Sequence, residues 1–148
     1  IKIYNEDNYE SLLNKSNKAC PVAILKALNM IKHSSFKPIK QSIYGRGHYC
    51  RGRIKGDEFI NWNSSTKKIH NFIRALSNPG LYARSKFKNN TIKFMKSSLT
   101  KHKNNDKYDN GQILSIKKTL IIKTNDGAIS ITKFYTSKKI RVGDILKK

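Results

Sequence analysis

The residues able to do chemistry are few and scattered. The four histidines, His33, His48, His70 and His102, share no metal-ligand spacing. The two cysteines, Cys20 and Cys50, match neither a CxxC nor a zinc pattern. Asp57 and Glu58 are adjacent carboxylates, but neighbours in a strand point to opposite faces, which separates an acid/base pair. The serines lack a nucleophile-elbow context. Gly45-Arg46-Gly47 with Arg51-Gly52-Arg53 makes a flexible basic segment and not a Walker loop. His70 falls beside an apolar helical stripe, the place of a packed structural histidine. The sequence thus offers no catalytic set and no metal site, and its functional signal is one of binding.

That signal lies in the cations. Arg46, Arg51, Arg53, Lys55, Arg74, Arg84 and Lys86 cluster in sequence. The planar guanidinium fork suits phosphate, and phosphate contacts position a nucleic acid without reading its sequence. Tyr44, Tyr49 and Tyr82 are interleaved with them and have faces on which bases stack. The same residues would also serve as solvated strand faces around packed tyrosines, and the residue pattern leaves both readings open. The charge balance is +22, from 31 Lys and Arg against nine Asp and Glu. Residues 1–33 carry five basic and three acidic groups, and residues 34–148 carry 26 and six, so almost all of the surplus lies in the second part. Such a surface attracts polyanions, although a Lys- and Asn-rich proteome would produce the same surplus without a ligand.

The elements that must position these groups fall into two regions. Residues 8–33 read as a helix capped by Asn8, with Pro21 expected to interrupt or restart it. Ile24, Leu25, Leu28 and Ile31 form an apolar face that should pack on something. HSSFKPIKQS (33–42) has linker character, so the chain divides into a helical connector, 1–42, and a second region, 43–148. In the latter, Ser64 or Ser65 caps a helix whose Ile69, Phe72, Ile73 and Leu76 follow helical spacing, and Asn78-Pro79-Gly80 ends it. Hairpins are expected around Asn89-Asn90 and Asp126-Gly127. Strands are expected over 111–117 and in KIRVGDIL, and a loop over 97–110. Ile60 and Trp62 alternate toward one side, into the core. The fold class expected is α+β, mainly β: a small OB-like open antiparallel barrel with one packed helix.

With 148 residues and 37% hydrophobic content the chain is large enough for a real core. No apolar run approaches the roughly 20 residues of a membrane span. We expect a soluble, cytoplasmic protein with reduced thiols and no membrane partner. The start, IKIYNEDNYE, has no initiator methionine and no basic leader, which suggests a piece of a longer chain.

GDEFINW followed by KKIHNFIRALSNPGLYAR resembles the C-terminal domain of folate-dependent formyltransferases: the methionyl-tRNA formyltransferases and their sugar-modifying relatives. The matching positions are Asp57, Ile60, Trp62, Ile73, Arg74, Ala75, Pro79, Gly80 and Ala83, with Asn61 where the family has Asp. TIKFMKS, GQIL and TNDGAISI follow in the family's order, and NYESLLNKSNKACPVAILKAL is similar to its interdomain helix. The resemblance implies an N-terminal catalytic domain elsewhere, carrying an Asn, His and Asp set and binding 10-formyltetrahydrofolate. This chain is then expected to bind no cofactor and to be inactive alone. It implies as partner either tRNA (initiator methionyl-tRNA) or a nucleotide-linked amino sugar. The charge favours tRNA; the Gly143-Asp144-Ile145-Leu146 ending looks more like the sugar enzymes. A stand-alone OB-like nucleic-acid-binding module is the alternative of another class.

Overall fold

Asn8 starts the first helix by accepting from the Ser11 N–H at 2.9 Å, while the Ser11 hydroxyl accepts from the Asn8 N–H at 3.0 Å. This reciprocal box satisfies two donors that a helix N-terminus otherwise leaves free. In the computed structural model, which describes residues 1–34, 36–40, 45, 47–101 and 107–148, α1 then runs unbroken from Tyr9–Lys32. The expected break at Pro21 does not occur. Proline removes one N–H from the ladder and crowds the carbonyl four residues back, yet α1 is helical on both sides of it. The expected packing of its apolar face is also absent: Ile24, Leu25, Leu28 and Ile31 are exposed, and no residue of α1 is buried by the described residues.

The start of α1 is nonetheless fastened. Asp7 is buried and takes both a Lys15 ammonium at 2.6 Å and the Tyr4 N–H at 2.7 Å. Asn78 donates to Glu10 at 3.0 Å, and Arg74 donates to the Asn5 carbonyl. The connector therefore begins against the end of the second helix.

That helix, α2, spans Thr66–Ala75, with Ser65 as its cap and Ile69 and Ile73 buried. Its first turn is also held from the sheet side: Asp126 accepts from the Thr66 N–H and hydroxyl, both at 2.7 Å. Gly80 ends the segment by close approach. A Cβ there would meet the Ser77 and Leu76 carbonyl oxygens at 2.7 and 2.8 Å, so the chain turns back only with glycine at this point.

Five antiparallel strands follow: β1 (Ala83–Phe87), β2 (Asn90–Leu99), β3 (Ile113–Ile116), β4 (Leu120–Thr124) and β5 (Gly127–Tyr135). Their order in the sheet is β1-β2-β5-β4-β3. The first hairpin turns one residue earlier than expected, because Lys88 and Asn89 both take positive φ (45° and 59°) and Phe87 pairs with Asn90. Two such residues match the right-handed twist of the flanking strands. In the β4–β5 hairpin Thr124 pairs with Gly127 across Asn125-Asp126. Ser97–Leu99, expected as loop, continue β2 against β5.

The sheet curls into a half-barrel, and the C-terminal segment spans its open side. The Lys86 and Lys147 N–H groups exchange bonds with each other's carbonyls at 2.8 and 3.0 Å. Further along, the Ile113 N–H reaches the Asp144 carbonyl at 2.8 Å, and the Leu146 N–H reaches Gly111 at 3.0 Å. The expected strand in KIRVGDIL is thus a chain of single bridges between β1 and the start of β3. The fold is α+β, mainly β, as the alternation and turn signals indicate. Ile60, Trp62, Ile69 and Ile73 from the first half join Phe94, Ile122, Ile129, Ile131 and Leu146 in one core.

Candidate nucleic-acid interface

The cations singled out from sequence do not form one cluster. Arg46 lies outside the described residues, as does Tyr44. Arg51 grips Asp57 with two parallel bonds, Nη1 to Oδ2 at 2.8 Å and Nη2 to Oδ1 at 2.7 Å. Asp57 also accepts the Ile54 N–H at 3.0 Å, which closes the 51–57 loop on itself. Both contacts favour the charged form, Arg51 first, and bring the Asp57 carboxyl down to about 2. Asp7 is likewise lowered to about 2, by Lys15 first and the Tyr4 N–H second. A depressed carboxyl stabilises above its unfolded value, here 3.8, and loses that contribution as pH falls toward the folded value. The 51–57 loop and the connector's first turn are therefore expected to loosen between about pH 4 and 2, read from the Ile54 and Tyr4 amide resonances. Amides that shift together with exposed carboxylates near pH 4 would contradict both pairings.

Arg53 and Lys55 are exposed on the same loop, and Arg53 lines a cleft with Tyr9, Pro79 and Gly80. Arg74 belongs to the other side of α2, on the Asn5 carbonyl. Arg84 and Lys86 do come together. They are two apart on β1, so they share its outer face, opposite the buried Ala83, Ser85 and Phe87. Arg84 is the more enclosed, with a guanidinium nitrogen 3.7 Å from the Glu58 carboxylate. Glu58 in turn accepts the Gly56 N–H at 2.8 Å, so the adjacent Asp57 and Glu58 serve separate partners. The Lys86 ammonium stands 5.3 Å from the Phe59 ring.

The register extends this face beyond the residues that sequence reasoning found. Arg84 pairs with Lys93 on β2, and Lys93 pairs with Tyr135 on β5. Directly opposite residues share a face, so Arg84, Lys93 and Tyr135 form one row with Lys86 beside it. Tyr135 is 58% exposed. Of the tyrosines expected to stack, Tyr49 is fully exposed outside regular structure and Tyr82 is half-buried at a cavity wall. Lys93 and Tyr135 follow from the hairpin alternation only once the pairing of β2 with β5 is known.

The motif residues hold the fold under this face. Ile60 and Trp62 are buried, and the Ile60 N–H bonds the Arg84 carbonyl at 2.8 Å, making residues 58–60 a short neighbour of β1. Asn61, standing where the resembled family has Asp, accepts the Asn63 N–H at 3.1 Å and shapes the turn after Ile60. Ile73 anchors α2, and Pro79 and Gly80 return the chain to β1.

A cavity of about 460 Å³ lies between the connector's start, α2 and the β2–β5 ladder. His70, Arg74, Lys96 and Lys133 are in its wall, together with Glu6 and Glu10. The His70 Nδ1 is 2.9 Å from the Ser97 hydroxyl. Burial, and then the Arg74 charge, push the imidazole below its ordinary value.

Comparison with known proteins accounts for this architecture. The family model described as formyl transferase, C-terminal domain, matches residues 53–148. The methionyl-tRNA formyltransferase of Blochmanniella floridana is 31% identical over 98% of this chain and 46% of its own length. That of Thermodesulfovibrio yellowstonii is 29% identical over 88% of this chain and 40% of its own. The chain therefore spans less than half the length of these relatives. A crystal structure of HypX from Aquifex aeolicus in complex with tetrahydrofolic acid shares the fold, with a TM-score of 0.52 at 23% identity, covering 78% of this chain and 20% of that one. With more than half of its residues matched, the chain belongs to the formyl transferase C-terminal domain family.

Proposed function

We propose that this chain is the substrate-side part of a cytoplasmic formyltransferase that moves a formyl group from 10-formyltetrahydrofolate to the amino group of initiator methionyl-tRNA. Residues 1–42 act as connector from an N-terminal catalytic domain, and residues 43–148 as the binding module. The observation that carries the reading is the basic row across β1, β2 and β5, with an exposed tyrosine at its end. Its charges meet backbone phosphates, and the Tyr135 ring offers a face to an unstacked base. The relatives' name as methionyl-tRNA formyltransferases supports the same acceptor.

The Gly143-Asp144-Ile145-Leu146 ending, which looks like the sugar enzymes, has work to do in the fold. Asp144 accepts the Arg141 N–H at 2.7 Å and pairs with Lys88 at 3.0 Å, while Leu146 fills the core. These contacts give the ending a part in barrel closure. No step of the transfer is assigned to this chain. The folate donor is proposed to bind the N-terminal catalytic domain rather than this chain.

Replacing Lys86 and Lys93 together with Gln is expected to weaken tRNA binding and to lower the log–log salt slope by about 1.4–1.8, for two lost phosphate contacts. Tyr135→Ala is expected to weaken binding about tenfold with the slope unchanged, because stacking releases no counterions. Filter binding across a salt series checks both. Wild-type affinity and slope in both variants would reject this face.

A further inference from the structure

Lys96 and Lys133 stand directly opposite each other in the β2–β5 ladder, at a point where the register shifts on both sides of Lys96. Like charges in that arrangement repel and destabilise a sheet. Neither lysine has an ion pair with a described residue. Bulges re-aim side chains and recur beside functional sites, and both lysines lie in the wall of the cavity beneath the connector's start. From the facing helix come Arg74, fixed by its bond to the Asn5 carbonyl, and His70, fixed through Nδ1 by Ser97. His70 Nε2 is left without a described partner.

From this arrangement we infer that the cavity is a phosphate-binding site, with Lys96, Lys133 and Arg74 as its charged cradle and His70 as a further donor. The acidic wall does not cancel the cradle. Glu6 and Glu10 share the wall with three cations, and Glu10 already accepts from Asn78 at 3.0 Å. A phosphate between the two lysines turns their repulsion into shared attraction, and its oxygens match the guanidinium geometry. Because the connector's start forms one wall, occupancy also fastens the connector to the half-barrel. The phosphate comes either from an RNA backbone or from a small phosphorylated molecule. The site neighbours the row of Lys86, Lys93 and Tyr135, since Lys133 lies two residues before Tyr135 on β5, but it uses different residues and does not rest on the acceptor proposed above.

The test is a titration of the whole chain with inorganic phosphate at constant ionic strength, following the histidine ring resonances by NMR, with His70 assigned from a His70→Asn variant. Phosphate is expected to shift the His70 ring saturably and to raise its titration midpoint; sodium chloride at equal ionic strength should do neither. Lys96→Gln with Lys133→Gln should weaken the phosphate response at least tenfold. Both side chains are exposed, and circular dichroism of the variant confirms its fold; Lys133→Gln alone should give an intermediate response. Displacement of inorganic phosphate from His70 by tRNA identifies a backbone source. Displacement by adenosine 5′-monophosphate, with tRNA binding elsewhere and leaving His70 unmoved, identifies a small-molecule source. A His70 ring indifferent to phosphate, or an unchanged response in the double variant, overturns the site. Failure of the outer-face variants with an intact His70 response would reject the tRNA face and leave this site standing.

Discussion

Trp62→Ala is expected to destabilise the chain by about 3–5 kcal/mol, in the range for truncating a large buried aromatic. Only 4% of Trp62 is exposed, and its ring meets Phe94 edge-on, with centroids 5.7 Å apart and planes at 85°. The indole N–H donates to the Ser85 hydroxyl at 3.0 Å, and that hydroxyl donates to the Lys147 carbonyl at 2.6 Å. One side chain therefore ties the segment before α2 to β1 and, through Ser85, to the C-terminal closure. Trp62→Phe keeps an aromatic edge but leaves Ser85 short of a partner, so a smaller loss, about 1–2 kcal/mol, is expected. Urea unfolding followed by far-ultraviolet circular dichroism measures both. A loss below 1 kcal/mol for the alanine variant would mean that Trp62 is not the pivot of this core.

The second large effect belongs to Gly111→Ala, expected to cost about 3 kcal/mol or more through backbone strain and steric clash together. Gly111 has a φ of +89°, where an L side chain is strained, and an added Cβ would lie 2.5 Å from the Leu146 carbonyl oxygen and 3.0 Å from Trp62 Cδ1. Neither neighbour yields easily, since one is backbone and the other a packed ring. The Leu146 N–H bond to Gly111 at 3.0 Å must break or shift, and with it the closure of the half-barrel. Amide exchange should show Leu146 and Lys147 losing protection before the β4–β5 hairpin does. Equal protection in wild type and variant would show that the closure does not depend on this contact.

These two residues show what a sequence reveals and what it conceals. Trp62 was legible as core because Ile60 and Trp62 alternate, and the α2 stripe was legible because Ile69, Ile73 and Leu76 repeat at helical spacing and are buried. The resemblance of the 56–83 segment reached the family from the same residues. Gly111 was not legible in this role. Its contact is with Leu146, and the closure of Lys86 on Lys147 joins residues far apart in sequence without any periodicity. Pro21 lies inside α1, which is helical on both sides of it, so the proline alone does not mark a helix end. The cations were legible as a class but not as a site. Arg51 is occupied by Asp57 and Arg74 faces the connector's cavity, whereas Lys93 and Tyr135 join Arg84 only through strand register. Partner choice of this kind is set by tertiary placement, which local spacing does not encode.

The proposed tRNA role of the positive surface is tested most directly by the affinity of the purified chain for initiator methionyl-tRNA across a salt series, beside an unrelated RNA of equal length. Binding is expected to weaken linearly in log–log form, at about 0.7–0.9 in slope per phosphate contacted, with an affinity for the initiator tRNA above that for the unrelated RNA. Absent binding, a slope near zero, or equal affinity for both RNAs would contradict it and leave the charge of +22 as a general property of the chain's composition.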